Sequence, residues 1–203
     1  MTKPPLLMDE QFVLPSDEIG QVADFKTIFG NDRPVEIEIG CGRGTLMVHL
    51  AQTKPDHNFL GIEWASKFYR YTVDRIRRWN LTNVKMLRTD AREFVMRQLP
   101  PQSVSVFHVY FPDPWPKKRH HKRRLFIPDF CQVLSRVLMP GGKIYAASDH
   151  EEYFQQIETN LSAIPNFVPC EFDSPAGNEV LSNYEAKFVK EGRSIYRVAV
   201  KKI

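Results

Sequence analysis

The feature that most constrains the fold is a regular alternation, from Val35 onward, between short runs of β-branched and aromatic residues and longer amphipathic segments. Such alternation is typical of a parallel sheet whose strands are connected by helices. We predict strands over residues 35–40, 59–63, 84–88, 104–111 and 143–148, a helix over 151–164, and a terminal strand pair over 167–172 and 196–201. The sequence therefore predicts an α/β protein with a mostly parallel seven-stranded sheet and helices on both faces.

The pattern also predicts how the 203 residues divide. Residues 1–34 contain four prolines and little periodicity, so we predict an N-terminal extension that is partly mobile. Residues 35–203 have the length of one ordinary domain. No stretch resembles a secretory signal or approaches the roughly 18 apolar residues of a spanning helix, so we expect a cytoplasmic protein.

The cysteines give no indication of a metal site or a disulfide framework. Cys41, Cys131 and Cys170 are far apart, and none belongs to a C-x-x-C pair. We therefore expect no bound metal and three reduced cysteines.

The positive charge of the chain is concentrated in one place. Six basic side chains fall within eight residues: Lys117, Lys118, Arg119, Lys122, Arg123 and Arg124. His120 and His121 fill the remaining positions of this segment, residues 117–124, which we call the basic octet. Without its six charges the net charge of +4 becomes −2. A run of charge is most often a solvated surface, but a local cationic segment on a slightly acidic protein also suits a phosphate backbone.

A glycine-rich turn follows the first strand of the alternating pattern. Gly40, Gly42 and Gly44 stand at alternate positions, where they allow a sharp turn and let a ligand approach the main chain. The spacing differs from the dinucleotide fingerprint, in which the third glycine comes three residues after the second. Glu38 places a carboxylate just before the turn, which disfavours a pyrophosphate and suits a ligand with ammonium and sulfonium groups. This charge favours S-adenosylmethionine.

Acidic residues stand at the ends of four successive predicted strands. These residues are Glu38, Glu63, Asp90 and Asp113. Because the carboxyl ends of parallel strands meet at one crevice, we expect the four side chains to lie close together. For Asp90 alone, which precedes a predicted helix, a role as helix cap is a serious alternative.

A proline-rich segment, Phe111-Pro112-Asp113-Pro114-Trp115-Pro116, leads directly into the basic octet. Prolines at alternate positions predict a stiff, extended backbone that presents Asp113 and Trp115 with little freedom. Next to a cofactor crevice, the octet is then interpreted as an RNA-binding surface. His108, within the preceding apolar strand, is interpreted as a core residue and not as a ligand.

From Glu38 to the C-terminus the chain resembles the tRNA (guanine-N7)-methyltransferase family, most specifically in the run F-P-D-P-W-P-K-K-R-H-H-K-R-R-L at residues 111–125. The resemblance implies a Rossmann-like class I methyltransferase that uses S-adenosylmethionine and acts on the tRNA variable loop. The sequence is compatible with a monomer and with a homodimer. The resemblance also implies that Glu38, Glu63, Asp90 and Asp113 line the cofactor site, and that Asp113 is also the catalytic acid.

The resemblance extends to the substrate side. Lys117 and Asp149 would contact the substrate, and residues 119–124 (Arg119, His120, His121, Lys122, Arg123 and Arg124) would contact RNA. Residues 182–185 match a T-x-Y-E stretch of the family and add Ser182, Asn183, Tyr184 and Glu185 to the substrate site. The chain departs from the family pattern at Ser182, which replaces a threonine, and at Phe126, which replaces another.

Two other functions remain open from the sequence. One is a class I methyltransferase that acts on another nucleic-acid position or on a small molecule, which would not require the basic octet. The other is a non-catalytic RNA-binding subunit. The four converging carboxylates argue against it, because such a subunit has no physical need for them.

Overall fold

A computed structural model of the chain describes residues 6–15, 22–173 and 183–203, with Asn183 described by its backbone alone. The strands in this part of the chain are β1 (Val13–Leu14), β2 (Val35–Ile39), β3 (Asn58–Ile62), β4 (Val84–Leu87), β5 (Val104–Tyr110), β6 (Leu138–Ser148), β7 (Phe167–Pro169) and β8 (Tyr196–Lys202). The α-helices are α1 (Phe25–Phe29), α2 (Thr45–Thr53), α3 (Ser66–Trp79), α4 (Ala91–Arg97), α5 (Pro128–Val137), α6 (Glu151–Ser162) and α7 (Asn183–Lys190). Single 3₁₀ segments cover Glu10–Phe12 and Lys118–Arg123.

The strands form one sheet in the order β1-β4-β3-β2-β5-β6-β8-β7. The pairs from β1 to β6 are parallel, whereas β8 runs antiparallel to both β6 and β7. The mostly parallel α/β sheet with a terminal antiparallel pair is thus confirmed. The described residues contain one strand more than the predicted seven, because β1, from the N-terminal 34 residues, pairs Val13 with Met86 of β4.

The strand after the fifth helix begins earlier than its sequence indicates. The sequence predicts a strand over residues 143–148, but β6 starts at Leu138 and also includes Pro140, Gly141 and Gly142. Leu138 pairs with Val104, and the register shifts before Lys143 pairs with Val106. Gly142 fits this irregular passage because a Cβ there would meet the Ser105 carbonyl oxygen at 2.9 Å.

Alternation along the strands produces two cores, one on each face of the sheet. Ile37 and Ile39 of β2 pack on the face that also carries buried side chains of α4, α5 and α6. The opposite face is covered by α2 and α3, whose Leu46, Met47, Val73 and Ile76 belong to a second cluster. Glu36 and Glu38 alternate with Ile37 and Ile39 and therefore point away from the first core.

The strand order places a topological switch point between β2 and β5. From β2 the chain moves outward to β3 and β4, and then returns to the other side of β2 to form β5 and β6. In open α/β sheets, ligands bind in the crevice beyond the carboxyl ends of the strands at such a point. The glycine-rich turn after β2 and the proline-rich segment after β5 both lie at this edge.

Candidate active site

The turn between β2 and α2 contains three glycines whose backbone adopts a left-handed conformation. Gly40, Gly42 and Gly44 have φ angles of 75°, 54° and 66°, in the left-handed region that disfavours larger residues. A Cβ built on Gly40 would meet nothing within 4 Å, so this glycine leaves space free. A Cβ on Gly44 would lie 2.4 Å from Thr72 Cγ2, so Gly44 serves the packing of α2 against α3. Gly40 and Gly42 line the cavities described next, and Gly44 does not.

Two adjoining cavities open at this edge of the sheet. The smaller, which we call the glycine-loop cavity, has a volume of about 340 Å³, and its lining includes Glu38, Gly40, Gly42, Tyr110, Tyr184 and Lys187. The larger, which we call the crevice, measures about 690 Å³, and its lining includes Glu63, Asp90, Asp113, Asp149, Arg123 and Arg193. Both cavities share Gly40, Gly42, Phe68, Tyr110 and Tyr184, so a single ligand can extend from one into the other.

Glu38 lies at the bottom of the glycine-loop cavity with an unsatisfied carboxyl oxygen. Its side chain is 5% exposed, and its Oε2 atom has no hydrogen-bond partner in the protein. Burial, together with the negative charge of Glu63, raises the pKa of Glu38 to about 8, although a backbone hydrogen bond from Met47 opposes the shift. A buried, unpaired acid of this kind is stabilised when a cation or a hydrogen-bond donor enters the cavity.

Glu63 holds the glycine turn in place. Its Oε2 atom accepts a hydrogen bond from the Gly42 backbone N–H at 2.9 Å, and its Oε1 atom accepts one from Ala65 N–H at 2.8 Å. Each carboxylate oxygen keeps further lone pairs for a ligand hydroxyl. The same side chain can therefore shape the loop and face the crevice.

Cys41, between the first two glycines, is placed in the same acidic surroundings. Burial and the charges of Glu38 and Glu63 raise the pKa of the Cys41 thiol well above its ordinary value. The thiol stays protonated and is a poor nucleophile.

Asp90 caps the helix that follows it and also lines the crevice. Its Oδ1 atom accepts hydrogen bonds from the backbone N–H groups of Arg92 at 2.9 Å and Glu93 at 3.1 Å, at the start of α4. The capping alternative raised by the sequence is therefore present in the structure. Because Asp90 also lines the crevice, the cap leaves its carboxylate at the edge of the proposed site.

Asp113 is exposed in the crevice on a strained loop. The prediction of a uniformly extended backbone is wrong at Phe111 and Trp115, whose φ angles are 54° and 44°. Non-glycine residues in this region carry strain of about 1 to 3 kcal/mol and persist only where surrounding contacts hold them. Phe111 N–H donates to the Ala147 carbonyl at 2.8 Å, and Arg124 Nε donates to the Pro114 carbonyl at 2.8 Å.

Arg124 is buried inside the protein and is not part of the exposed cationic surface. It is 1% exposed, its guanidinium donates to Glu152 and Gln156 of α6, and it lies 4.9 Å from the centre of the Tyr153 ring. These contacts use the donors that an RNA phosphate would need. The expectation that Arg124 contacts RNA is corrected accordingly, and its role is to fix the Asp113 loop to α6.

Most of the remaining octet stays at the surface. Lys117, Lys118, Arg119, Lys122 and Arg123 are exposed, and His120 and His121 are half-buried. Arg123 lines the crevice and lies 4.9 Å from the centre of the Trp115 ring, while His120 meets the same ring edge-on at 5.9 Å. The cationic surface thus begins at the wall of the crevice that holds Asp113.

The C-terminal part of the chain completes the crevice. Tyr184 and Phe188 of α7 line it, and Phe188 packs against Phe111 with ring centres 5.3 Å apart. Asp149 is bound by Arg193 at 2.7 Å, and Glu185 is bound by Arg197. Ser182 lies outside the described residues, and of Asn183 only the backbone is described.

Arg193, Phe188 and Tyr110 are among the residues of this site that the sequence did not indicate. No local pattern marks the first two, because they reach the crevice only when α7 and the loop after it pack across the sheet edge. Tyr110 could have been identified, since it is the last residue of β5, directly before the proline-rich segment. Among the described residues, no group of histidine, cysteine, aspartate and glutamate side chains is arranged to hold a metal, and no helix is long and apolar enough to cross a membrane.

A Rossmann-like sheet with a glycine-lined cavity at its switch point is the architecture of class I methyltransferases. Solved structures of methyltransferases share this fold. TrmN from Thermus thermophilus matches 84% of this chain and 45% of its own, with a TM-score of 0.60 and 18% identity. The aminoglycoside resistance methyltransferase NpmB1 matches 88% of this chain and 92% of its own, with a TM-score of 0.57 and 16% identity. At these identities the likeness concerns the fold.

Sequence relatives narrow the class to one family. A family model described as "Putative methyltransferase" matches residues 32–198. The tRNA (guanine-N(7)-)-methyltransferase of Syntrophotalea carbinolica is 35% identical over 97% of this chain and 86% of its own length. That of Geobacter metallireducens is 34% identical over 94% and 92%. The chain belongs to the tRNA (guanine-N(7)-)-methyltransferase family.

Proposed function

We propose that this chain transfers a methyl group from S-adenosylmethionine to N7 of a guanine in the variable loop of tRNA. The observation that carries the proposal is the buried Glu38, whose Oε2 atom has no hydrogen-bond partner, in a cavity that adjoins the crevice of Asp113. The names of the sequence relatives supply the kind of substrate. We propose the cytoplasm as the place of the reaction, and a monomer or homodimer as the working form.

The residues of the glycine-loop cavity fit S-adenosylmethionine. Glu38 would accept hydrogen bonds from the ammonium group of its methionine part, and would become ionised in doing so. Gly40 and Gly42 would let the ligand lie against main chain. Glu63, at the end of β3, and Asp90, at the end of β4, would accept hydrogen bonds from ribose hydroxyl and adenine amino groups. The cofactor supplies an electrophilic methyl group on a positively charged sulfur.

Asp113 would hold the guanine. A carboxylate can accept two hydrogen bonds from the N1–H and N2–H groups of guanine, a pair of donors that adenine lacks. Guanine N7 already carries a lone pair, so no general base is required for its attack on the methyl group. The protein therefore contributes alignment, which can supply roughly 7 to 11 kcal/mol, and negative charge that stabilises the cationic ring.

The polar groups around Asp113 would position the rest of the substrate. We propose Lys117, Asp149, Tyr184 and Glu185 as substrate contacts, together with Ser182 and Asn183 on the basis of the family resemblance. The arginine partners of Asp149 and Glu185 would orient both carboxylates. The exposed cations of the octet, with His120 and His121, would contact phosphates. Phosphate contacts place RNA on the surface without reading its sequence.

Methyl transfer to defined transcripts tests the proposal. Tritiated S-adenosylmethionine is offered to tRNA transcripts that differ only in a guanine or adenine at the variable loop, and the modified nucleoside is identified by mass spectrometry. We expect N7-methylguanine from the first transcript alone. Transfer that ignores the variable-loop guanine would support a methyltransferase with another target, and no transfer to any RNA would support a non-catalytic RNA-binding subunit.

The role of Asp113 is tested separately. Asp113→Ala should reduce turnover to background while S-adenosylhomocysteine still binds with only moderately reduced affinity. Asp129→Asn, which changes an exposed acid on α5 outside both cavities, is the matched control and should retain turnover. Unchanged turnover in the Asp113→Ala variant would refute the assignment.

A further inference from the structure

A chain of polar contacts connects two buried strands beneath the proposed cofactor site. Glu36 of β2 is fully buried, and its Oε2 atom lies 2.7 Å from Nε2 of His108 on β5. The other ring nitrogen of His108, Nδ1, lies 3.4 Å from the hydroxyl oxygen of Tyr110, two residues further along β5. Three adjacent polar groups in a core require a specific hydrogen-bonding arrangement.

Glu36 is the fixed end of this chain. Its Oε1 atom accepts a hydrogen bond from Lys54 Nζ at 2.9 Å and lies 2.8 Å from His57 Nδ1. Burial alone would raise the pKa of Glu36, but the hydrogen bonds and charge interactions with His108 and Lys54 lower that pKa to about 2. Glu36 is therefore a permanent carboxylate.

A permanent acceptor at Nε2 determines the tautomer of His108. Nε2 carries the proton that is donated to Glu36, so in the neutral ring Nδ1 is the acceptor. In that neutral ring Nδ1 accepts the hydroxyl hydrogen of Tyr110 and leaves the lone pairs of the phenolic oxygen for another partner. In a protonated ring the direction is reversed, and Nδ1–H donates to the phenolic oxygen, so His108 fixes the Tyr110 hydroxyl in both charge states. Tyr145 of β6 stacks on the same imidazole, 5.8 Å away and within 7° of parallel, and limits its rotation.

Tyr110 occupies the boundary between the two cavities. It lines both the glycine-loop cavity, with Glu38, and the crevice, with Asp113. Burial, with the nearby charge of Glu38, raises the pKa of Tyr110 well above its ordinary value, so the side chain remains a neutral phenol. A ligand that extends from the first cavity into the second must pass this side chain.

We infer that Tyr110 contacts S-adenosylmethionine where it passes between the two cavities, and that His108 and Glu36 are positioning residues that fix the Tyr110 hydroxyl. This inference rests on the cofactor placement proposed above. It adds a residue to the site that neither the glycine turn nor the acids at the strand ends contain. His108 is then a core histidine with a function, which acts through the hydrogen bond of its Nδ1 atom.

A double-mutant cycle tests the inference. The dissociation constant for S-adenosylhomocysteine is measured by calorimetry for the unmodified protein, Tyr110→Phe, His108→Phe and the double variant. Loss of one hydrogen bond corresponds to a twofold to tenfold weakening, which we expect for each single variant. If His108 acts through Tyr110, the double variant should be no weaker than Tyr110→Phe alone.

The kinetic parameters provide a readout that a purely structural role would not move. Tyr110→Phe should raise the KM for S-adenosylmethionine and leave the KM for tRNA unchanged. Tyr145→Phe is the matched control, because Tyr145 also stacks on His108. Its hydroxyl is hydrogen-bonded to Lys143, so the variant removes a hydroxyl without removing the contact between His108 and Tyr110. It should bind the cofactor product as the unmodified protein does.

Three outcomes would overturn the inference: unchanged affinity in Tyr110→Phe, additive losses in the double variant, or an equal loss in Tyr145→Phe. Since Tyr110→Phe removes a single oxygen, it tests the inference even if His108→Phe fails to fold. The cofactor placement is tested independently by Gly40→Val, which puts a side chain into the glycine-loop cavity. If Gly40→Val binds normally, the placement itself is wrong.

Discussion

Glu36 and Glu38 stand two residues apart on the same face of β2, both buried, with pKa values of about 2 and about 8. The difference follows from their partners. Glu36 contacts Lys54, His57 and His108, whereas one oxygen of Glu38 has no partner and the negative charge of Glu63 opposes its ionisation. One strand therefore carries an ionised structural acid and, next to the cavity, an acid that stays protonated below about pH 8 in the free protein.

The raised pKa of Glu38 predicts that cofactor affinity depends on pH. In the free protein Glu38 is neutral below about pH 8, whereas a bound ammonium group favours the carboxylate. Binding then releases a proton, and affinity should rise with pH, by at most about tenfold per unit, until it levels off near pH 8. Titrations with S-adenosylhomocysteine between pH 5.5 and 8 measure this slope. Glu38→Gln should flatten it, and Glu93→Gln, an exposed acid on α4, should not.

The raised pKa of Glu38 also predicts that the stability of the free protein falls as the pH rises, whereas the affinity for the cofactor rises. An unfolded glutamate loses its proton near pH 4.5, whereas folded Glu38 retains it until about pH 8, so ionisation favours the unfolded chain in between. The free energy contributed by Glu38 is fully present below about pH 4.5 and is lost as the pH rises to 8. Urea unfolding without cofactor should show that Glu38→Gln gains stability relative to the unmodified protein from pH 5 to pH 8. A constant difference would contradict the raised pKa.

We predict that replacing Arg124 lowers both the stability of the protein and its turnover. Arg124→Met removes the donors to Pro114, Glu152 and Gln156 and leaves a strained loop without its anchor. We expect a loss of about 2 kcal/mol, or a Tm lower by roughly 4 to 8 °C, together with slower methyl transfer because Asp113 is misplaced. Lys122→Met, an exposed neighbour in the octet, should leave Tm within about 1 °C. An unchanged Tm in Arg124→Met would show that the buried contacts contribute little.

The salt dependence of tRNA binding should distinguish the exposed cations of the octet from the buried Arg124. Each phosphate contact that is removed should reduce the slope of log affinity against log salt concentration by roughly 0.7 to 0.9. We expect Lys122→Gln to reduce the slope by about that amount, and Arg124→Met to leave the slope unchanged. Filter binding of tRNA at a series of salt concentrations measures both, with Lys26→Gln on α1 as a control outside the octet. An equal reduction in Lys26→Gln would indicate that binding follows net charge and not the octet.

The glycines of the turn should separate into two classes. Gly44→Ala places a methyl group 2.4 Å from Thr72 Cγ2 and should lose about 1 to 3 kcal/mol from overpacking beyond the strain of its positive φ. Gly40→Ala shares the strain but meets open space, so its added effect should fall on cofactor affinity. Urea unfolding and S-adenosylhomocysteine titration of both variants make the comparison. Equal unfolding free energies for the two variants would contradict the assignment of Gly44 to packing.

The order of residues along the chain was enough to predict the sheet and the meeting of its acids. Alternating β-rich and amphipathic segments specify parallel strands with crossover helices, and parallel strands necessarily present their carboxyl ends at one edge. Glu63, Asp90 and Asp113 are brought into one crevice for this reason, and Glu38 into the cavity that adjoins it. The periodicity of a strand or helix is a local property, so it can be read without knowing what packs against it.

Burial and partner choice were decided only by the tertiary structure. Arg123 and Arg124 are neighbours in one basic run, yet one lines the crevice and the other is enclosed by Glu152, Gln156 and Tyr153 of α6. Asp149 similarly acquires Arg193 from a loop 44 residues further along the chain. A side chain's solvation and pKa depend on atoms contributed by remote segments, and their distances do not exist until the chain has folded.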